Sequence, residues 1–308
     1  MKFKSALSKS AGILLVMILM MTVIYAQPVQ ADEDSPVVVT SFTILEDIVD
    51  RVAGDMVDSR VLAPAGAEVH EWELIPENFV DLEEADLFLY NGFNLEVWLD
   101  QALNTLDDGA AYKAVGENVE ADTIPIQLGD FEGDPDPHLW MDPLIYIEYV
   151  EAVSEKLGEV DPDNALEYEI NSARYISEIW DLHADLSQDL AQIPSDSRVL
   201  VTSEAAFLYF ADRYDFEHQG IWGSNAEEEG TPDQIARTVD LVQDRNPGAL
   251  FYESTISDRH VRSVAGDTDS EVYGPLYVDS TAEPGEPADN YIDMMKINKD
   301  IILEAMDN

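Results

Sequence analysis

A segment of about 30 residues without glycine or proline constrains the fold of this chain most strongly. From Asp163 to about Ile193 the apolar side chains recur at spacings of three and four, which predicts one amphipathic helix. At about 1.5 Å per residue, this helix is about 45 Å long, which exceeds the width of one small lobe. We therefore expect it to join two lobes rather than belong to either.

Strand and helix patterns alternate on both sides of this segment. Apolar or β-branched runs predict strands at residues 37–41, 59–62, 87–90, 198–202, 249–252 and 271–273. Amphipathic spacing and helix-start residues predict helices at residues 44–49, 78–85, 95–103, 143–157, 204–214, 232–245 and 289–306. This alternation predicts the α/β class, with parallel sheets covered by helices. The expected architecture is two Rossmann-like α/β lobes, 32–162 and 194–308, joined by a helix at 163–193.

The N-terminal residues have the pattern of a secretory signal. Three lysines precede an apolar run from Ala11 to Ala26, and Val29-Gln30-Ala31 resembles a cleavage site. A membrane anchor is the alternative, but a spanning helix needs about 20 apolar residues and this run is shorter. We predict a signal peptide at 1–31 and an exported protein, extracellular or at the cell surface, or periplasmic if the host has an outer membrane.

The charge of the chain excludes one class of partner. Sixteen basic residues stand against 64 acidic ones, a formal charge of −48, so nucleic acid phosphates would be repelled. The acid is spread along the sequence, which is typical of a halophilic protein; an alkaliphile surface is the alternative. With no cysteine, the sequence excludes disulfides, thiolate metal sites and lipid attachment through a cysteine.

Four side chains that can bind a metal stand near predicted strand ends or turns. His70 follows the second strand, His138 lies in the proline-rich stretch Asp134–Pro143, and Glu204 and Asp279 each follow an apolar run. Ligands of parallel sheets gather at the carboxyl ends of strands. Each residue also has an ordinary alternative, such as a first-turn acid for Glu204 or a turn former for Asp279. Sequence spacing alone does not join them into one site.

Several motifs give the chain a resemblance to a known family. They are His70-Glu71-Trp72-Glu73-Leu74-Ile75-Pro76, Ala85-Asp86-Leu87, Tyr90-Asn91-Gly92, His138-Leu139-Trp140-Met141-Asp142-Pro143, Glu228-Glu229-Gly230-Thr231-Pro232 and Asp279-Ser280. In these motifs the chain resembles the solute-binding proteins of metal-ion ABC transporters. The resemblance implies two α/β lobes joined by one long rigid helix, a metal site in the cleft between them, and a membrane permease as partner. Carried over by motif, the metal ligands are His70, His138, Glu204 and Asp279.

The residue at position 204 bears on which metal is bound. Zinc-uptake members of the family usually have a third histidine where this chain has Glu204, and often a histidine-rich loop, whereas residues 122–136 contain no histidine. The chain therefore resembles the manganese branch. Two imidazoles and two carboxylates suit a hard cation, whereas Zn2+ prefers four donors. We expect Mn2+, with Zn2+ and Fe2+ as alternatives.

Two other functions compete with a transport receptor. A metal-dependent hydrolase could use the same four residues, but the zinc-hydrolase motif His-Glu-x-x-His is missing from the sequence. Nothing in the sequence is specific to an adhesin. We therefore expect a non-enzymatic, monomeric receptor. His183, His218 and His260 are expected to have surface or structural roles, and Glu253 and Arg259 to support the ligands.

Overall fold

Four parallel strands form the sheet of the N-terminal lobe in the computed structural model, which describes residues 35–224 and 230–306. They are β1 (Val37–Phe42), β2 (Asp58–Ala63), β3 (Leu87–Tyr90) and β4 (Ala111–Ala114), in the order β2-β1-β3-β4. Strand β1 is buried from Val38 to Phe42, as expected for a strand of a parallel sheet that is covered on both faces. Strand β4 was not predicted. The predicted signal peptide lies outside the described residues.

The helices of this lobe are α1 (Thr43–Val52), α2 (Pro76–Glu84), α3 (Leu99–Leu103) and α4 (Pro143–Val160), with 3-10 turns at Gly54–Met56, Gly116–Asn118 and Leu139–Met141. The predicted helix at 95–103 is wrong in its first half. The carboxylate of Glu96 accepts hydrogen bonds from the backbone N–H groups of Asn91 and Gly92 at 2.7 and 3.1 Å. These bonds fold the segment into a turn, and the helix begins only at Leu99.

The long Gly- and Pro-free segment forms a single helix, α5 (Ala165–Leu190). Its 26 residues span about 39 Å, so the helix lies inside the predicted 163–193. Its buried face includes Tyr175, Ile179 and Leu186, and it packs against α1, α4 and the C-terminal helix α9 (Tyr291–Met306). The helix thus contacts elements that flank both halves of the chain.

The second lobe contains two pairs of parallel strands. Strand β5 (Val199–Glu204) pairs with β6 (Glu217–Trp222), and β7 (Ala249–Glu253) pairs with β8 (Glu271–Leu276), while β5 lies beside β7. Its other helices are α6 (Leu208–Tyr214), α7 (Pro232–Arg245) and α8 (Arg259–Thr268). The helix predicted at 204–214 begins only at Leu208, because β5 continues to Glu204. Helix α8 was not predicted.

The predicted start of α7 is confirmed. Thr231 Oγ1 accepts from the backbone N–H of Gln234, whose side chain accepts from the N–H of Thr231. Glu228 and Glu229, which belong to the same sequence motif, lie outside the described residues. Across the described ranges, no helix has the length and apolar character needed to span a membrane.

Candidate metal centre

His138 is held by a carboxylate on its own turn. Its backbone N–H donates to Asp136 Oδ1 at 3.0 Å, and its ring Nδ1 lies 3.2 Å from the same oxygen. The side chains of both residues are fully buried. Prolines at 135 and 137 and the 3-10 turn that follows fix the backbone on both sides. Nε2 is therefore the nitrogen left for a metal.

His70 lies on the loop between β2 and α2. Its backbone N–H donates to Glu68 Oε1 at 3.2 Å, and the indole of Trp98 donates to the backbone oxygen of Val69 at 2.9 Å. The loop also reaches the second lobe, because the N–H of Gly66 donates to Ser280 Oγ at 2.7 Å. The side chain of His70 is thereby enclosed, and the residue His70 is only 9% exposed.

Two carboxylates come from the second lobe. Glu204 is the last residue of β5, and its backbone N–H donates to Glu253 Oε1 at 3.1 Å. Its position in a strand excludes the alternative of an acid in the first turn of a helix. Asp279 follows β8 in the segment that leads to α9. Their exposed fractions are 4% and 1%.

The structure brings the four predicted side chains together. His70, His138, Glu204 and Asp279 each offer one donor atom, and these atoms lie within 4.8 Å of one another. His70 Nε2 is 3.7 Å from Glu204 Oε1, and His138 Nε2 is 3.3 Å from Asp279 Oδ1. Among the described residues, the partner of Asp279 Oδ1 is the imidazole of His138, and Oδ2 has no hydrogen bond. A buried acceptor without a hydrogen bond lowers the stability of the fold, and a divalent cation would satisfy it.

The charges of the cluster are set by burial and by its own members. Burial lowers the pKa of His70 to about 4, so this imidazole is neutral near pH 7 and able to bind a metal. Burial also disfavours a charged His138, but the carboxylates of Asp136 and Asp279 outweigh it and raise the pKa of this histidine. Burial raises the pKa of Glu204, with a further contribution from Asp279. A metal must therefore displace protons when it binds.

Supporting residues lie directly behind the four donors. Glu253 contacts Glu204 as expected, and burial raises the pKa of its carboxyl to about 8. Arg259, expected in a similar role, instead contacts the ring of His260 at an exposed position. Asp136 was not singled out from the sequence. An acid two residues before a candidate histidine is the signal that could have identified it.

The other three histidines lie outside the cluster. His218 is buried on β6 and its Nε2 is 2.8 Å from Thr202 Oγ1, while His183 Nδ1 is 3.2 Å from the hydroxyl of Tyr214. The ring of His260 packs edge-on against Trp222. These contacts agree with the expected structural or surface roles.

Comparison with known proteins finds relatives over nearly the whole described chain. The family described as zinc-uptake complex component A, periplasmic, matches residues 38–305. The manganese-binding lipoprotein MntA of Halalkalibacterium halodurans is 35% identical over 87% of this chain and 88% of its own length. The iron-binding protein YfeA of Yersinia pestis is 36% identical over 87% of this chain and 85% of its own.

Solved structures agree with this assignment. The periplasmic zinc binding protein TroA from Treponema pallidum superposes with a TM-score of 0.83 at 27% identity, covering 88% of this chain and 99% of that one. Its architecture has two lobes, like the one described above. The resemblance seen in the motifs is thereby confirmed. The chain belongs to the zinc-uptake complex component A family, whose members are non-enzymatic, substrate-binding receptors for divalent metals in ABC transporters.

Proposed function

We propose that this protein is an exported receptor that binds Mn2+ and delivers it to the permease of an ABC transporter. Delivery of a divalent metal to a permease follows from family membership, and so does association with the cell surface. The finer assignment to Mn2+ is the proposal. Related proteins are named for manganese, iron or zinc, so the choice among these ions must rest on the site.

The observation that carries the proposal is the composition of the buried cluster. We propose His70, His138, Glu204 and Asp279 as the four ligands, all within reach of one cation. Two carboxylates that can each bind through both oxygens, together with two imidazoles, offer up to about six donor atoms. This set suits the hard Mn2+ ion, whereas a closed Zn2+ site uses four donors.

The proposed organisation follows the sequence boundaries. A signal peptide at 1–31 would be removed, and lobes at 32–162 and 194–308 would be joined by a linker at 163–193 that contains α5. Each lobe would supply two ligands. We propose that the receptor acts as a monomer, since one chain supplies all four ligands.

Calorimetric titration with Mn2+ tests the proposal on the parent protein and on His138→Ala and Asp279→Ala. The parent should bind one ion, and each variant should lose most of the affinity because the cation is left undercoordinated. Metal analysis of protein purified from the native host would identify the ion bound there. Near-parental binding by Asp279→Ala would remove this residue from the site.

A further inference from the structure

The carboxylate of Asp136 lies between a proposed ligand of its own lobe and a side-chain hydroxyl of the other lobe. Oδ1 accepts from the backbone N–H of His138 at 3.0 Å and lies 3.2 Å from its Nδ1. Oδ2 accepts a hydrogen bond from Ser224, which follows β6 in the second lobe. The hydroxyl of Ser224 is also 3.1 Å from the backbone oxygen of Ala205, the residue after Glu204. Asp136 is fully buried.

The other histidine has a different arrangement. Glu68 also stands two residues before its histidine and accepts the backbone N–H of His70 at 3.2 Å. Its second oxygen accepts from Thr255 Oγ1 at 2.8 Å. The imidazole of His70 has the backbone oxygen of Leu95 as its neighbouring acceptor, which is a neutral group. The two imidazoles are therefore unequally supported.

This difference has a chemical consequence for metal binding. A carboxylate that accepts from Nδ1–H fixes the tautomer, orients the ring and makes the opposite nitrogen a better donor. For His138 that opposite nitrogen is Nε2, which faces Asp279 at 3.3 Å. The backbone oxygen of Leu95 beside His70 is a neutral acceptor, and hydrogen bonds to neutral acceptors are weaker than those to a carboxylate.

We propose that Asp136 is a positioning residue for metal binding and that Ser224 holds it in place from the opposite lobe. His138 is then the more firmly positioned of the two imidazoles. The carboxylate of Asp136 thereby couples Ser224 of the second lobe to the ring of His138. This inference rests on the proposed metal-receptor function.

The first experiment compares Asp136→Asn, Ser224→Ala and the double variant by the affinity and dissociation rate of Mn2+. Asp136→Asn should weaken binding about 10- to 100-fold, as loss of such a partner typically does. Ser224→Ala should act in the same direction by a smaller factor. The double variant should match Asp136→Asn, because in this proposal Ser224 affects the metal through Asp136 and not through the backbone oxygen of Ala205.

The matched control is Thr238→Val. Thr238 is a buried hydroxyl that donates to the backbone oxygen of Gln234 inside α7, so its loss should leave Mn2+ affinity unchanged within about twofold. The melting temperature of each metal-free variant separates a general loss of stability from a specific one. The visible absorption of the Co2+ complex should shift in Asp136→Asn but not in Thr238→Val.

The second experiment tests through which histidine Asp136 acts. Adding Asp136→Asn to His138→Ala should cause no further loss of Mn2+ affinity. Adding it to His70→Ala should weaken binding by the same factor as in the parent protein.

A parent protein that bound no divalent ion would overturn the proposed function itself. If the parent bound Mn2+ but Asp136→Asn bound it equally well, or if Asp136→Asn and Ser224→Ala acted independently, the inference alone would fail.

Discussion

Trp140 and Val278 are joined across the two lobes by a hydrogen bond of 3.0 Å from the indole Nε1 to the backbone oxygen. Trp140 lies two residues after His138, and Val278 immediately precedes Asp279. The hydroxyl of Tyr291 donates to the backbone oxygen of Trp140 at 2.7 Å and holds the same turn. These contacts place one ligand from each lobe at a set separation in the metal-free protein.

Trp140→Phe should lower both stability and metal affinity. The variant removes the donor to Val278 and leaves a buried carbonyl unsatisfied, which costs about 1–3 kcal/mol of the free energy of unfolding. It also frees the loop that carries Asp279, so Mn2+ should bind more weakly. Thermal melting of the metal-free protein and calorimetry with Mn2+ measure the two effects.

Trp180→Phe is the matched control for this variant. Trp180 lies on α5 with 52% of its surface exposed, so the same substitution there should change neither quantity appreciably. Equal effects of the two variants would show that the bond between Trp140 and Val278 does not position the ligands.

Glu204→His should widen the preference for Zn2+ over Mn2+. Nitrogen and oxygen sites generally bind Zn2+ more tightly than Mn2+, so we expect the parent already to bind Zn2+ at least as tightly in vitro. The variant loses an anionic oxygen donor, which Mn2+ needs more than Zn2+ does. Competition titrations of both metals, compared as free energies, measure the change.

Glu204→Gln separates the charge of this residue from its role as an oxygen donor. If Glu204→His weakened both metals equally, Glu204 would act only as negative charge near the site. The assignment to manganese would then lose its support.

Glu253→Gln should stabilise the metal-free protein at pH 8 more than at pH 4.5. Burial raises the pKa of Glu253 from 4.5 to about 8, so the folded protein holds a proton that the unfolded chain releases in this interval. The contribution of this group to stability is present below pH 4.5 and is lost as the pH rises towards 8. The amide side chain of the variant stays neutral throughout. Parallel melting profiles for the parent and the variant over this range would contradict the expectation.

Lowering the salt concentration should destabilise the metal-free protein. With a formal charge of −48, self-repulsion grows as the Debye length increases from about 10 Å at 0.1 M to about 30 Å at 0.01 M. The melting temperature should therefore fall steadily as KCl is removed. A flat profile would mean that the acidic residues are paired locally, as Asp185 and Asp189 are with Lys299.

Several elements could be predicted because their signals are local. Local patterns predicted the strand at 37–41, the start of α7 at Thr231 and the helix of the Gly- and Pro-free segment. None of these patterns depends on a residue that is distant in sequence. The wrong prediction of a helix at 95–98 also has a local cause, which is a side-chain hydrogen bond that helical spacing does not reveal. The segment at 95–98 has helical spacing, but Glu96 instead caps the turn at Asn91 and Gly92.

The sequence by itself determined the fold class, the long helix and, through its motifs, the identity of four candidate ligands. Only the tertiary structure decided that these four side chains converge, because His70 and Asp279 are far apart in sequence and no spacing rule links them. It also decided the protonation of the cluster. The pKa values of His70 and His138 move in opposite directions because one imidazole is chiefly desolvated while the other faces two carboxylates, and burial and distance exist only in the folded chain.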